Sequence, residues 1–314
     1  MAGHCLVPNR SMNAELALVA DALVRATPLI IAGLAVAFAF RGGVFNIGAE
    51  GQLLVGAVAA TAVILALSAS LGRYSVVVAI AAGAFAGAAW AWIAAELKRR
   101  FHVLEIISTI MLNFIAIHLV SFLVRGPLQE PTRIYPQTET FQQSARLPLL
   151  LPETRLHMGF ALAVILALML GWVFRQTAFG FKVRATGASA SAAGIAGRID
   201  TDKTSLVVFL ISGALAGIAG SVEVTGVTFA LYENLSPGYG YTAIAVALIA
   251  GLNPIAIIGS GIFFGVLETG ASALQREFAV PSSLASVVEA VLIIGALTIA
   301  AIRGRHSLVQ PAKS

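Results

Sequence analysis

The segment Arg41-Gly42-Gly43-Val44-Phe45-Asn46-Ile47-Gly48-Ala49-Glu50-Gly51-Gln52 places one carboxylate and two carboxamides among four glycines, between two apolar runs. In a bilayer, irregular backbone survives only where it is buried in protein or lines a wet cavity, and an ionisable group there marks a functional site by default. Asn46, Glu50 and Gln52 are therefore candidates for a polar solute's pathway. A plainer reading of the same residues is an Arg41–Glu50 ion pair at a cytoplasmic turn.

A second broken segment, Leu235-Ser236-Pro237-Gly238-Tyr239-Gly240-Tyr241-Thr242, leads into a short apolar helix. The N-terminus of that helix can present free N–H groups to a solute. Tyr239 and Tyr241 can stack on a ring, although tyrosines at a membrane interface also serve as belt residues. Glu223 and Glu233 flank this segment and read as solvated caps. Asn113, Glu268 and Glu289 are further polar groups inside apolar runs, able to bond neighbouring helices. Ser212-Gly213-x3-Gly217-x2-Gly220 reads as a packing face that lets backbones approach closely.

The run Phe181-Lys182-Val183-Arg184-Ala185-Thr186-Gly187-Ala188-Ser189-Ala190-Ser191-Ala192-Ala193-Gly194-Ile195-Ala196-Gly197 has a basic start followed by small residues at helical spacing. It predicts a short helix with a smooth face, suited to a groove in another protein. An ordinary inside loop is the other reading.

Catalytic and metal motifs are absent. No Gly-x4-Gly-Lys-Ser/Thr phosphate loop, His-Glu-x2-His, Cys-x2-Cys or nucleophile-elbow pattern occurs. The five histidines are scattered singly, and the one cysteine, Cys5, excludes an internal disulfide framework. The first dozen residues lack the apolar core of a signal peptide.

The elements that must position these groups are membrane helices. Of the 314 residues 58% are hydrophobic and only 11% charged, against roughly one quarter charged in soluble domains. The expected fold class is all-α: a polytopic transmembrane bundle forming a single transmembrane domain over residues 1–314. Nine membrane segments are read at 14–40, 48–67, 75–95, 104–124, 157–174, 204–225, 239–252, 255–274 and 284–302. The seventh has 14 residues, about 21 Å of helix against a core of about 30 Å, so it should be a broken or half-depth helix. Lys and Arg gather in the turn at Lys98, the loop 175–203 and the tail after Ile302, which fall on one side if the segments alternate. That side should be cytoplasmic, so the basic pI of about 9.7 reports topology rather than a nucleic-acid partner. The hydrophilic loop 125–156 then faces outside, as does the amino terminus. Gly83-x3-Gly87 with Phe101-x-Val103, and Gly261-x3-Gly265 with Phe278-x-Val280, suggest inverted repeats, a recurrent plan of transport folds.

At these segments the chain resembles permease subunits of bacterial ABC importers for nucleosides and simple sugars, within the branched-chain amino acid/ribose permease superfamily. The likeness is carried by Gly33-Leu34-Ala35-Val36-Ala37-Phe38-Ala39-Phe40-Arg41 with Phe45 to Gln52, and by Glu105-Ile106-Ile107-Ser108-Thr109-Ile110-Met111-Leu112-Asn113. It continues through Arg184-Ala185-x-Gly187, Ala192-Ala193-x3-Gly197, Ser212 to Gly217 and Ile244-Ala245-Val246-Ala247-Leu248. The resemblance implies a multi-pass inner-membrane permease without an ATPase site. Its partners would be a second permease subunit, a cytoplasmic ABC ATPase that binds ATP and Mg, and an external solute-binding lipoprotein. It also places Arg184, Gly187, Ala192, Ala193, Gly194 and Gly197 at the ATPase contact. Members of this family usually have another membrane helix before the first one read here, and Asn-Pro where this chain has Ala188-Ser189. Two other readings fit the composition: a secondary transporter driven by an ion gradient, and a structural membrane subunit that transports nothing.

Overall fold

The computed structural model describes residues 10–278, apart from 153 and 198, and the isolated positions Val287, Ala290, Val291, Ile294, Gly295 and Thr298. Apart from those isolated positions the ninth expected segment, with Glu289, lies outside this description, as does Val280 of the second glycine repeat. Among the described residues the elements are helical: α1 (Arg10–Arg41), α2 (Ala49–Leu71), α3 (Tyr74–Phe101), α4 (Glu105–Arg125), α5 (Gly159–Gln176), α6 (Ala178–Ala188), α7 (Ala190–Gly197), α8 (Thr201–Glu223), α9 (Tyr239–Ile249) and α10 (Pro254–Phe278). Seven helices are long and apolar enough to cross a membrane, and α9 is a shorter apolar helix. Among the described residues the expected segments therefore appear as seven candidate spans and one shorter apolar helix, α9, which with 11 residues is only about 16 Å long.

The core forms around α1. From Leu29 to Ala39 its side chains are essentially inaccessible, so a helix apolar on every side is surrounded by protein rather than lipid. Its interior Pro28 is tolerated where neighbouring helices enclose the backbone. On one flank α10 runs antiparallel to α1, with Gly261 against Ile30 and Gly265 against Ala22 and Ala26. On the other flank, α2, α3 and α8 meet through glycine: a Cβ on Gly56 or Gly87 would overlap the backbone of Gly217 or Gly213, and one on Gly217 the backbone of Gly83. Such close backbone approach replaces the hydrophobic driving force that helices lack in lipid.

The two ends of the bundle differ. At the basic end, Gly42, Gly43, Lys98, Arg99, Thr186 and Asp202 line a cavity of about 580 Å³. At the opposite end the loop 126–158 docks on the stretch after α8: Thr138 N–H donates to Leu231 O at 2.8 Å, Phe141 N–H to Phe229 O at 2.8 Å and Leu147 N–H to Thr225 O at 2.9 Å. These bonds bury Phe141 and cover a π-helical turn, Val224–Thr228, that extends α8.

Candidate functional site

Two helix N-termini meet in the interior. At the end of α1, Gly43 adopts a φ of 75°, the left-handed conformation that glycine takes at a helix C-terminus. Val44 N–H bonds back to Ala39 O at 3.0 Å, and the chain turns inward without helix until α2 begins. Asn46 fixes this re-entry. Its Nδ2 donates to Gln52 Oε1 at 2.8 Å and to Ser212 Oγ at 2.9 Å, while its Oδ1 accepts from Gly48 N–H at 2.9 Å and Gln52 Nε2 at 3.0 Å. Ser212 Oγ in turn donates to Ala35 O at 2.7 Å. Asn46, Gln52 and Ser212 are all buried, so a polar knot joins α1, α2 and α8.

Asn113 on α4 ties in the other half. Its Oδ1 accepts from Gly51 N–H at 2.8 Å, and its Nδ2 donates to Ile47 O at 3.0 Å and to the Tyr241 hydroxyl at 3.3 Å. Glu50, only 3% exposed, lies in the first turn of α2 and accepts from Gly240 N–H in the first turn of α9 at 2.7 Å. The carboxylate thus sits between two helix N-termini, where free N–H groups and both helix dipoles complement it. A Cβ on Gly240 would overlap the Glu50 backbone, which is why only glycine fits. Ser236 Oγ caps α9, accepting from Gly238 N–H at 3.1 Å and Tyr239 N–H at 2.9 Å. The Arg41–Glu50 pair does not form; Arg41 lies instead over the Phe174 ring, 5.1 Å from its centroid.

The five pathway candidates therefore converge on one place. Asn46, Glu50 and Gln52 direct their polar atoms into the framework, and Tyr241 is half-exposed on α9 with its hydroxyl bonded to Asn113. Tyr239 alone among them borders an open space, a cavity of about 350 Å³ between α1, α9, α10 and the segment after α8. Glu223 borders it too. The expectation that Glu223 is a solvated cap is wrong: it is 3% exposed, because the docked loop and α10 close over the end of α8. Its neighbours come from widely separated segments, so only the fold brings them together; the visible signal was the i, i+4 spacing of Asp21 and Arg25 on α1. Glu233 remains nearer the surface, where hydrogen bonds from Arg125 and then Ser121 hold its carboxyl down at about 2.

The docking candidates occupy the basic end on two helices rather than one. Ser189, in extended conformation, separates α6 from α7, and its Oγ accepts from Ala192 N–H at 3.3 Å. The turn between α6 and α7 is thus made by a serine cap. Arg184, Ala192, Gly194 and Gly197 are exposed, and Ala193 packs inward. Ile195, not among the expected docking residues, is 86% exposed. Gly187 abuts the carbonyl of Arg41 and the backbone of Gly43 so closely that a Cβ there would overlap them.

The chain matches the family described as branched-chain amino acid transport system / permease component over residues 18–297. It is 38% identical over 289 residues to the glucose ABC transporter permease protein TsgB13 of Haloferax volcanii, covering 88% of this chain and 75% of that protein. It is 37% identical over 295 residues to the guanosine ABC transporter permease protein NupP of Bacillus subtilis, covering 92% and 83%. The guanosine ABC transporter permease protein NupQ of the same bacterium is 27% identical over 253 residues, covering 79% of each chain. No solved structure matches the chain.

Proposed function

The chain belongs to the branched-chain amino acid transport system permease component family, and on that premise we propose that it forms part of the membrane conduit of an ATP-driven importer of nucleosides or a simple sugar. It is a multi-pass permease, and ATP hydrolysis belongs to a partner subunit. A guanosine permease and a glucose permease stand at nearly equal identity to it, which favours a neutral ring-shaped polar solute. Two permeases of guanosine import in one bacterium both resemble it, which supports pairing with a second permease subunit. An external solute-binding lipoprotein would deliver the solute to the loop end.

The observation that carries this reading is the seat of Gly187 on Arg41 and Gly43. It joins the exposed α6–α7 pair to the same segment that holds Asn46 and Glu50. An ATPase docked on Arg184, Ala192, Gly194 and Gly197 would move Gly187 against this turn, and the turn would move the junction of α2 and α9. Asn46, Glu50, Gln52 and Tyr241 frame the pathway, and Tyr239 faces it.

The inverted-repeat relation belongs to this proposal. From their abutting N-termini, α2 runs toward the docked loop, where Arg73 and Tyr74 beyond its end neighbour Gln143 and Arg146. α9 runs the other way, toward Ile255 beside Gly171 of α5. The span α2 and the shorter α9, opposed in direction and meeting in the interior, support alternating access by rocking of one half against the other.

The docking test replaces Ala192 and Gly194 with glutamate in the full chain. Both sites are exposed, so the permease should fold and reach the membrane while co-purification of the ATPase subunit falls by about tenfold or more. Unchanged ATPase capture would refute docking at this helix pair.

A further inference from the structure

The cavity beside Tyr239 has no assigned role. It holds about 350 Å³, within the range of small-ligand sites, and lies on the loop-end side of the Glu50–Gly240 junction. The carboxylate of Glu223 borders it, 97% buried from solvent (3% exposed), and its Oε2 has no hydrogen-bond partner among the described residues. A buried acceptor left unmatched is costly, and this one adjoins open volume. Asp21, Arg25 and Arg155 line the same space. Arg25 Nη1 also lies 4.0 Å from Glu268 Oε2. Fixed charges of both signs offset one another here, which suits neither a free anion nor a bare cation. Hydroxyls on Thr228, Thr269 and Ser272 and the rings of Tyr232 and Tyr239 complete the wall.

We propose that this cavity is a solute subsite for an uncharged polyhydroxylated ring, in which Glu223 Oε2 accepts a hydrogen bond from a ring hydroxyl while Tyr239 contacts the ring face. It rests on the permease reading and names the site within that conduit. Hydroxyl-to-carboxylate bonds are charge-assisted, and a single such contact holds a solute weakly enough to release it onward. Arg25 and Arg155 orient the carboxylate and repel a competing cation. The subsite selects for hydroxyls on the ring rather than for a particular base, so a sugar and the ribose of a nucleoside meet the same requirement.

The test uses the full chain in the assembled importer, with Cys5→Ser removing the natural thiol and Ser272→Cys placing one in the cavity wall. A membrane-impermeant thiol reagent is applied from the loop side, with D-glucose, guanosine or 2′,3′-dideoxyguanosine as probes. Glucose or guanosine, supplied well above a millimolar-range dissociation constant, should slow labelling by about fivefold. The dideoxy compound should not. Adding Glu223→Gln should raise the protecting concentration by about tenfold or more, whereas Glu233→Gln, outside the cavity, should leave it unchanged. Tyr239→Phe, which keeps the ring, should retain protection, and this variant guards against a fold defect in the first. Protection that survives Glu223→Gln, equal protection by the dideoxy compound, or protection by sodium in place of the sugars would overturn the subsite. ATP-dependent uptake measured on the same preparation separates the two readings: uptake without protection defeats the subsite alone, and absent ATP dependence defeats the permease reading itself.

Discussion

Asn46, Gln52, Asn113 and Ser212 spend their hydrogen-bonding groups on one another and on the backbone. In a low-dielectric interior a satisfied network of this kind rigidifies its surroundings, whereas an unsatisfied group is costly. The polar residues at the junction of α2 and α9 therefore act as framework, and under the proposed subsite the solute-facing surface would fall to Tyr239, Glu223 and their neighbours. Glu50 makes this testable, because its bond to Gly240 N–H needs an acceptor and not a charge. Glu50→Ala strands a buried N–H and should cost about 1–3 kcal/mol of stability, read as a lower unfolding midpoint in detergent. Glu50→Gln keeps an oxygen in place and should stay near the parent. Equal losses in both variants would show that the charge between the two helix N-termini, rather than the bond, holds the junction.

At the scale of elements, glycine decides how close the helices come. Gly217 on α8 touches the backbone of both Gly56 on α2 and Gly83 on α3, so Gly217→Val should drive three helices apart. Overpacking of this kind costs about 1–3 kcal/mol or more, and the unfolding midpoint should fall accordingly; a valine accommodated without loss would contradict the packing described. These candidate spans were legible in the sequence because each is a long apolar run, and α9 was legible as a short helix because Pro237, Gly238 and Gly240 confine it to fewer residues than a span needs. The Asn46 and Tyr239 segments were legible as partners because both break the backbone at membrane depth. Three features were not. Ser189 divides the docking helix by a local cap that composition does not mark. The π-helical turn Val224–Thr228 is covered by the distant loop 126–158, whose Leu147 N–H bonds to Thr225 O. Glu223 looked like a cap because its cavity is assembled from five chain segments that no local pattern connects.

Across the whole molecule, one continuous path of backbone, packing contact and hydrogen bond leads from the exposed α7 through the Gly187 contact to the Arg41–Gly43 turn, then to Asn46, Glu50 and the start of α9. In the proposed conduit a push at the basic end would reach the point where the N-termini of α2 and α9 abut, with the Glu223 cavity on the far side. Such an arrangement suits a conduit moved by an external motor, since differential contacts in two states are what convert docking energy into motion. The most direct measurement is solute accumulation in proteoliposomes containing this chain with its second permease subunit, ATPase and solute-binding protein, beside liposomes containing this chain alone. Uphill uptake of guanosine or glucose is expected only in the complete assembly and only with ATP and Mg supplied on the ATPase side. Uphill uptake by the chain alone under a proton or sodium gradient would contradict it.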